Sequence, residues 1–194
     1  MIIKIKKVCF LIGFFFIIGH IARAQDQRFA DSLVDIYLSD SLIGKAKMEL
    51  LRKLSFNEVN DYSKRLNYAE ELILLASQYN NNEYLYHGYF QKGNSNQFLG
   101  DLEEAVASYF KSAEVAKKEK LISAEGSAYG AIADIYSISD NHTNAMLYYG
   151  KAIAKLRNTK DTVALASFVL NAGDALLANK KYDSALAYFN ESGA

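Results

Sequence analysis

Histidine and cysteine, the side chains that most often bind metals or act as acids, bases and nucleophiles, are scarce in this chain. The 194 residues include three histidines and one cysteine. Cys9 lies in an apolar stretch near the N-terminus, and His87 and His142 are far apart in the sequence. A metal site on one helix needs ligands about four residues apart. The sequence therefore predicts no metal site and no cofactor.

The carboxylates and glycines form no catalytic pattern either. Glu103 and Glu104 stand at the start of a predicted helix, where the helix dipole favours negative charge. Gly93 and Gly100 are not followed by the Lys-Ser or Lys-Thr pair of a phosphate-binding loop. We therefore expect these residues to form no enzyme active site, although a catalytic domain further along a longer chain is compatible with them.

The charge balance argues against nucleic acid as a partner. Lys and Arg total 22, as do Asp and Glu, so the chain has no overall positive field. The 14 tyrosines and 11 phenylalanines do not alternate with basic residues, as a groove for a phosphate backbone requires. We expect these rings to pack in a protein core, with the tyrosine hydroxyls reaching a helix turn or solvent.

Residues 1–24 have the pattern of a secretory signal peptide. A lysine-containing segment precedes an apolar run at residues 8–21, and the small residues Ala22 and Ala24 follow. This order predicts export to a periplasmic or other extracytoplasmic compartment, with cleavage before Gln25. The alternative is an uncleaved anchor, although the run is shorter than the roughly 20 apolar residues that span a bilayer.

Internal repeats with a period of 40 residues are the most informative feature of the remaining sequence. Shifting the chain against itself by this period aligns three columns of residues. The columns are Lys53, Gly93, Ala133 and Gly173; Arg65, Ala105, Ala145 and Ala185; and Ala69, Tyr109, Tyr149 and Phe189. Apolar spacings of about three and four residues indicate helices. Because short polar turns lie between the columns, each unit is predicted to be helix, turn, helix.

The repeat predicts an all-α architecture. A single helix pair cannot bury its apolar stripes, whereas stacked pairs bury them continuously. The predicted organisation is a signal peptide at 1–24, a helical lead-in at 25–48 and repeats over 49–194. The repeat units are 49–88, 89–128, 129–168 and 169–194, of which the last is incomplete.

The second unit resembles a tetratricopeptide repeat. That family has a small residue in its first helix, Gly-Asp at the turn, and Ala, an aromatic residue and Ala in its second helix. The matching positions here are Gly93, Gly100, Asp101, Ala105, Tyr109 and Ser112 with Ala113. The resemblance covers residues 49–194 and implies a right-handed solenoid of helical hairpins. The family's Trp and closing Pro are missing, which suits longer helices or turns and a 40-residue period.

In tetratricopeptide arrays the first helices line a concave groove that binds a protein or peptide. Carried over by position, the resemblance implies these groove-facing residues: His87, Phe90, Gln91, Asn94, Gln97, Asp134, Ser137, Asn171, Asp174 and Leu177. This surface is polar, rich in amides and slightly acidic. Arrays that hold acidic C-terminal tails use Lys and Arg on these helices, and only Asn94 matches that clamp. An acidic tail is therefore not the expected ligand.

A narrower resemblance gives an alternative function. Residues 84–94 and the repeats around them are similar to the extracytoplasmic front half of bacterial signalling proteins. In those proteins such repeats precede a membrane helix and a cytoplasmic adenylate or guanylate cyclase or histidine kinase domain. The chain would then be a sensor segment, and the sequence beyond Ala194 distinguishes the two functions.

The fourth unit has no capping helix, which predicts self-association through its uncovered face.

We expect the exported protein to begin at Gln25, because the charged segment, the apolar run and the small residues all precede it. N-terminal sequencing of protein recovered from an extracytoplasmic fraction tests this. A retained Met1 would contradict cleavage and identify residues 8–21 as an anchor.

Overall fold

The computed structural model describes residues 27–192, and the predicted signal peptide and its cleavage site lie outside them. All regular secondary structure in the described range is helical, which confirms the all-α prediction. The helices are α1 (27–38), α2 (Gly44–Asn57), α3 (Tyr62–Gln78), α4 (Asn82–Leu99), α5 (Leu102–Lys118), α6 (Ile122–Ile138), α7 (His142–Leu156), α8 (Thr162–Ala178) and α9 (Tyr182–Ser192). None of these helices combines the length and apolar character that crossing a bilayer requires.

From α2 onward, each helix packs against the next one in the chain. Short connections make antiparallel pairs of α2 with α3, α4 with α5, α6 with α7, and α8 with α9. The first helices of neighbouring pairs also touch, α2 with α4 and α6 with α8. The chain is therefore a helical-repeat array.

The helix pairs start earlier in the sequence than the predicted units. The last three pairs begin at Asn82, Ile122 and Thr162, so the predicted boundaries at 88, 128 and 168 fall inside first helices. The predicted lead-in likewise contains α1 and the first turn of α2. The reason is that capping residues set where helices start, whereas the predicted units are anchored on packing columns in the middle of helices.

Side-chain caps and left-handed turn residues make the connections short. In five helices the capping side chain accepts a hydrogen bond from the backbone N–H three residues later; these caps are Asp61, Asn81, Asp101, Asn141 and Asp161. Residues with positive φ end several helices; these are Asn80, Gly100, Lys120, Asp140 and Lys180. Because α5, α6 and α8 each have 17 residues, helices of this length with short turns account for the 40-residue period.

Small residues of the first helices pack against aromatic rings of the second helices. A Cβ atom added at Gly93 would lie 2.6 Å from the ring of Tyr109, and one added at Gly173 would lie 2.5 Å from the ring of Phe189. Tyr109 and Tyr149 are both buried. The aligned columns of the sequence are therefore the contacts that join the two helices of a pair.

The last helix pair exposes apolar side chains. Val163 is 78 % exposed and Leu186 is 59 % exposed. In the two preceding pairs the residues in the column of Leu186 are Val106 and Met146, and these pack against buried clusters. Self-association through the last pair stays a prediction.

Replacing Gly93 by Ala should destabilise the protein by about 1–3 kcal/mol, because the added methyl group overlaps the ring of Tyr109. Gly150→Ala is the matched control, since Gly150 lies in α7 and an added Cβ atom meets nothing within 4 Å. The control should stabilise the protein by about 0.5–1 kcal/mol, because Ala favours the helix. Urea unfolding measures both effects, and equal effects would contradict the close approach of α4 to α5.

Candidate functional site

A cavity of about 460 Å³ lies across the first helices of three successive pairs. It extends from the C-terminal half of α2 over the N-terminal half of α4 to the first turns of α6, and it reaches the cap of α8. Its lining residues are Arg52, Phe56, Tyr86, His87, Phe90, Gln91, Ser123, Ala124, Ser127 and Asp161. We call it the aromatic cavity.

Rings form much of the wall of the aromatic cavity. The ring centroids of Tyr86 and His87 are 4.1 Å apart, and the ring of Phe90 lies 5.4 Å from that of Tyr109. Burial, together with the charge of Arg52, lowers the pKa of His87 to about 4. At pH 7 this imidazole is therefore neutral, and it adds no charge to the ring-lined part of the wall.

The charged groups at the edge of the aromatic cavity already have partners. Arg52 Nε donates to Glu49 Oε2 at 2.8 Å, and Arg52 Nη2 donates to Glu49 Oε1 at 2.7 Å. This bidentate contact lowers the pKa of Glu49 to about 2. At the other edge, Ser123 Oγ donates to Asp161 Oδ2 at 2.8 Å. Glu49 thus pairs with the charge of Arg52, and Ser123 donates to the carboxylate of Asp161.

A buried arginine lies behind the aromatic cavity. Arg65 of α3 is 9 % exposed, and burial lowers the pKa of its guanidinium. Its Nη2 donates to Gln91 Oε1 at 2.8 Å, and its Nε donates to the backbone oxygen of Ser55 at 3.0 Å. Gln91 is 5 % exposed and also accepts a hydrogen bond from Asn94 Nδ2 at 3.1 Å. The buried guanidinium of Arg65 therefore fixes the position of Gln91, which lines the cavity.

A second cavity, of about 360 Å³, lies further along the first helices. Its lining residues are Gln97, Asp134, Ser137, Ile138, Tyr149, Asn171 and Asp174, and we call it the polar cavity. Tyr149 Oη donates to Asp134 Oδ1 at 2.6 Å, and Asn171 Nδ2 donates to the same oxygen at 3.0 Å. Burial raises the pKa of Asp134, and these two hydrogen bonds oppose the rise.

The contact between a tyrosine hydroxyl and the first-helix face occurs in two successive pairs. In the earlier pair Tyr109 Oη lies 2.7 Å from Asn94 Oδ1 and 3.0 Å from Gln97 Oε1. The expectation that these hydroxyls reach a helix turn or solvent is therefore wrong for Tyr109, as it is for Tyr149, because the ring spans the helix pair. In the last pair Phe189 occupies this column and carries no hydroxyl.

The predicted groove residues fall into two main groups. Those that line the aromatic cavity are His87, Phe90 and Gln91. Those that line the polar cavity are Gln97, Asp134, Ser137, Asn171 and Asp174. Asn94 bonds to Gln91 and Tyr109 behind this surface, and Leu177 is exposed outside both cavities.

Sequence reasoning misses the lining residues that α2 and the starts of α6 and α8 supply. Ser127 stands 40 residues after His87, so the repeat column contains a signal for it. Arg52 and Phe56 lie in the pair that departs most from the column pattern, and no sequence signal marks them. Asp161 is visible in the sequence only as part of a polar turn.

The two cavities offer hydrogen bonding and apolar contact. Among residues 27–192, no group of three His, Cys, Asp or Glu side chains is placed to hold a metal ion. The aromatic cavity presents the neutral imidazole of His87 beside apolar rings, and the polar cavity presents amides and carboxylates. These groups suit non-covalent recognition of a ligand that has both apolar and polar parts.

A family model for the tetratricopeptide repeat matches residues 86–119 and residues 126–154. The first match covers most of α4 and all of α5, and the second covers most of α6 and α7. These helix pairs are tetratricopeptide repeats. The resemblance that the sequence columns indicate is thereby confirmed.

Three solved structures share the helical-repeat fold of this chain at low identity. RapI in its apo form has a TM-score of 0.72 at 17 % identity, over 81 % of this chain and 58 % of RapI. BtubC (BKLC) from P. vanneervenii has a TM-score of 0.64 at 13 % identity, over 88 % of each chain. A putative kinesin light chain of Podosopora anserina with nearly identical TPR-like repeats has a TM-score of 0.67 at 13 % identity, over 87 % of this chain and 86 % of its own.

These likenesses show the fold alone, and this chain spans 58 % of the length of RapI. A comparison with curated proteins gives no match.

Replacing Asp134 by Asn should stabilise the tetratricopeptide array at pH 7 and leave it unchanged near pH 3. Burial raises the pKa of Asp134 above its unfolded value, so ionisation disfavours the folded state. Asp134 contributes most to the free energy of unfolding below the pKa that it has in the unfolded chain. This contribution is lost as the pH rises through the pKa that it has in the folded protein. The carboxamide oxygen of Asn accepts both hydrogen bonds that reach Oδ1.

Melting temperatures of the wild type and of Asp134→Asn between pH 3 and pH 7 test this expectation. Asp174→Asn is the control, because it removes an exposed carboxylate from the same repeat column. A difference between Asp134→Asn and the wild type that does not grow with pH would contradict the account of the polar cavity.

Proposed function

We propose that this chain is an exported tetratricopeptide module that binds an extended segment of a protein or peptide on its first-helix face. Tetratricopeptide arrays are in general protein-interaction modules, and the groups on this face suit binding. The observation that carries the proposal is the aromatic cavity, which three successive first helices build together. A site of this kind is formed before the ligand arrives, so little ordering free energy is lost on binding.

The size of the aromatic cavity suits part of a bound peptide segment as its occupant. Its volume of about 460 Å³ lies within the range of roughly 300–1,000 Å³ that is typical of ligand pockets. Gln91 at the aromatic cavity and Gln97 at the polar cavity are about 9 Å apart along α4, at 1.5 Å per residue. About three residues of an extended peptide cover that distance. One short segment can therefore contact both cavities.

The charge of the first-helix face favours a neutral or basic segment. Asp134 and Asp174 line the polar cavity, and no lysine or arginine is among the described residues that line it. Arg52 is compensated by Glu49. An acidic tail would meet like charge here, so we do not propose one as the ligand.

We also propose export on the pattern of residues 1–24, which predicts an extracytoplasmic partner. The sensor segment of a longer signalling enzyme remains the alternative prediction. The reading frame beyond Ala194 tests it, because that function requires a membrane helix and a cyclase or kinase domain downstream.

Filling the aromatic cavity should weaken binding without unfolding the protein. Ligands come from a random peptide library displayed on phage and selected against the purified protein. In Ser127→Tyr a ring enters the cavity from α6, and the affinity for the selected peptides should fall by about ten-fold or more, which is ~1.4 kcal/mol. Fluorescence anisotropy with labelled peptides measures the affinity.

Ser184→Tyr is the matched control, because Ser184 is exposed on α9 and lies outside both cavities. The control should bind the peptides within about two-fold of the wild type, a difference well under ~1 kcal/mol. Unchanged binding by Ser127→Tyr, or equal losses in both variants, would overturn the first-helix face as the binding site.

A further inference from the structure

We propose that Gln91 recognises the main chain of the bound segment, by donating a hydrogen bond from Nε2 to a peptide carbonyl while a bulky apolar side chain of that segment fills the aromatic cavity. This inference rests on the proposed function and adds the class of ligand and the residue that selects it. It is carried by the buried network formed by Arg65, Gln91, Asn94 and Tyr109.

The chemistry of arginine fixes the orientation of the Gln91 carboxamide. A guanidinium has only donors. Because Arg65 Nη2 lies 2.8 Å from the end of the Gln91 side chain, the atom that faces it must be the oxygen. Nε2 therefore points away from Arg65. This assignment follows from the donor alone and not from a choice between two amide rotamers.

A second donor occupies the same oxygen of Gln91. Asn94 Nδ2 lies 3.1 Å from Gln91 Oε1, so Asn94 must direct its NH₂ group toward Gln91 and its oxygen toward the hydroxyl of Tyr109, 2.7 Å away. Every amide in this network is thereby oriented, starting from the buried charge of Arg65. The two lone pairs of Gln91 Oε1 are both used.

The remaining donor group of Gln91 is available to a ligand. Gln91 is 5 % exposed and lines the aromatic cavity. Within residues 27–192 no acceptor forms a hydrogen bond with Gln91 Nε2. This nitrogen is also absent from the fully buried side-chain atoms that lack a partner. A donor that is nearly withdrawn from water gains more from a ligand acceptor than an exposed donor does.

The pairing of a buried arginine with a first-helix amide occurs once in the described repeats. Arg65 stands in the column that Ala105, Ala145 and Ala185 occupy in the other pairs. The column of Gln91 holds Ala131 and then Asn171, and Asn171 Nδ2 already donates to Asp134 Oδ1. The hydrogen bond from a charged guanidinium polarises the Gln91 amide and makes its N–H groups better donors. The site therefore fixes the register of a segment at one residue.

A neutral acceptor suits this position, because Arg52, the cation among the lining residues, is already paired with Glu49. The rings around Gln91 are apolar, the nearby imidazole of His87 is neutral, and Asp161 adds a negative charge to the lining. A main-chain carbonyl next to an apolar side chain has the matching chemistry, because both parts occur in every peptide that contains a large apolar residue.

The probe is N-acetyl-L-phenylalanine methylamide, which carries one ring and two main-chain carbonyls. N-acetyl-L-alanine methylamide is the ligand control, because it has the same carbonyls and no side chain to fill the cavity. NMR titration of the wild-type protein should show tighter binding of the phenylalanine compound. The side-chain amide protons of Gln91 should shift more than those of Gln97.

Gln91→Glu is the decisive variant. A carboxylate accepts from Arg65 and Asn94 as the amide does, so the melting temperature should not fall. Its second oxygen then faces the cavity as an acceptor, and the affinity for the phenylalanine compound should fall by about ten-fold or more. Gln78→Glu introduces the same charge at an exposed position of α3 outside both cavities, and its affinity should stay within about two-fold of the wild type.

The outcomes separate this inference from the proposed function. If Gln91→Glu binds the phenylalanine compound as the wild type does, or if Gln91 amide protons do not shift, the role of Gln91 is overturned while the cavity remains a binding site. If the phenylalanine compound binds no better than the alanine compound, the inference is overturned, and the selected peptides then decide the proposed function on their own.

Discussion

The packing of an aromatic ring of the second helix against a small residue of the first helix is the constraint on which this array depends. At Gly93 the ring of Tyr109 lies so close that a Cβ atom does not fit. Contacts of this kind set the distance between paired helices, and hence the spacing of the first helices that build the cavities. The same rings carry hydroxyls across the pair. Through them Tyr109 and Tyr149 hold Asn94 and Asp134 on the first-helix face.

The candidate site lies where the array departs from its own repeat. In the first pair the two packing columns hold Lys53 and Ala69 instead of a small residue and an aromatic ring, and Arg65 replaces alanine. A buried guanidinium needs acceptors, and it finds them in Ser55 and in Gln91 of the next pair. The departure therefore links two pairs through a polar network. Regular packing supplies a scaffold, and this one irregular contact supplies an oriented donor.

Sequence reasoning succeeds where a physical requirement recurs with the period. The small and aromatic columns recur in the last three pairs, and caps such as Asp101 and Asn141 recur at the turns. This recurrence makes the columns, the caps and the helix-turn-helix unit visible in the sequence. The columns do not show where each helix pair begins, because capping residues determine where the helices start. Arg65 is visible only as an exception, and its bond to Gln91 joins residues of different pairs. No periodic signal marks such a contact, because it occurs once.

A crystal structure of the protein with a selected peptide tests the central claim most directly, because that claim is about which face of the array binds. The account predicts that the peptide crosses α2, α4 and α6, with an apolar side chain in the aromatic cavity between Phe56 and Phe90 and a main-chain carbonyl within hydrogen-bond distance of Gln91 Nε2. A peptide bound on the second helices α3, α5 and α7, with the aromatic cavity unfilled, would contradict it.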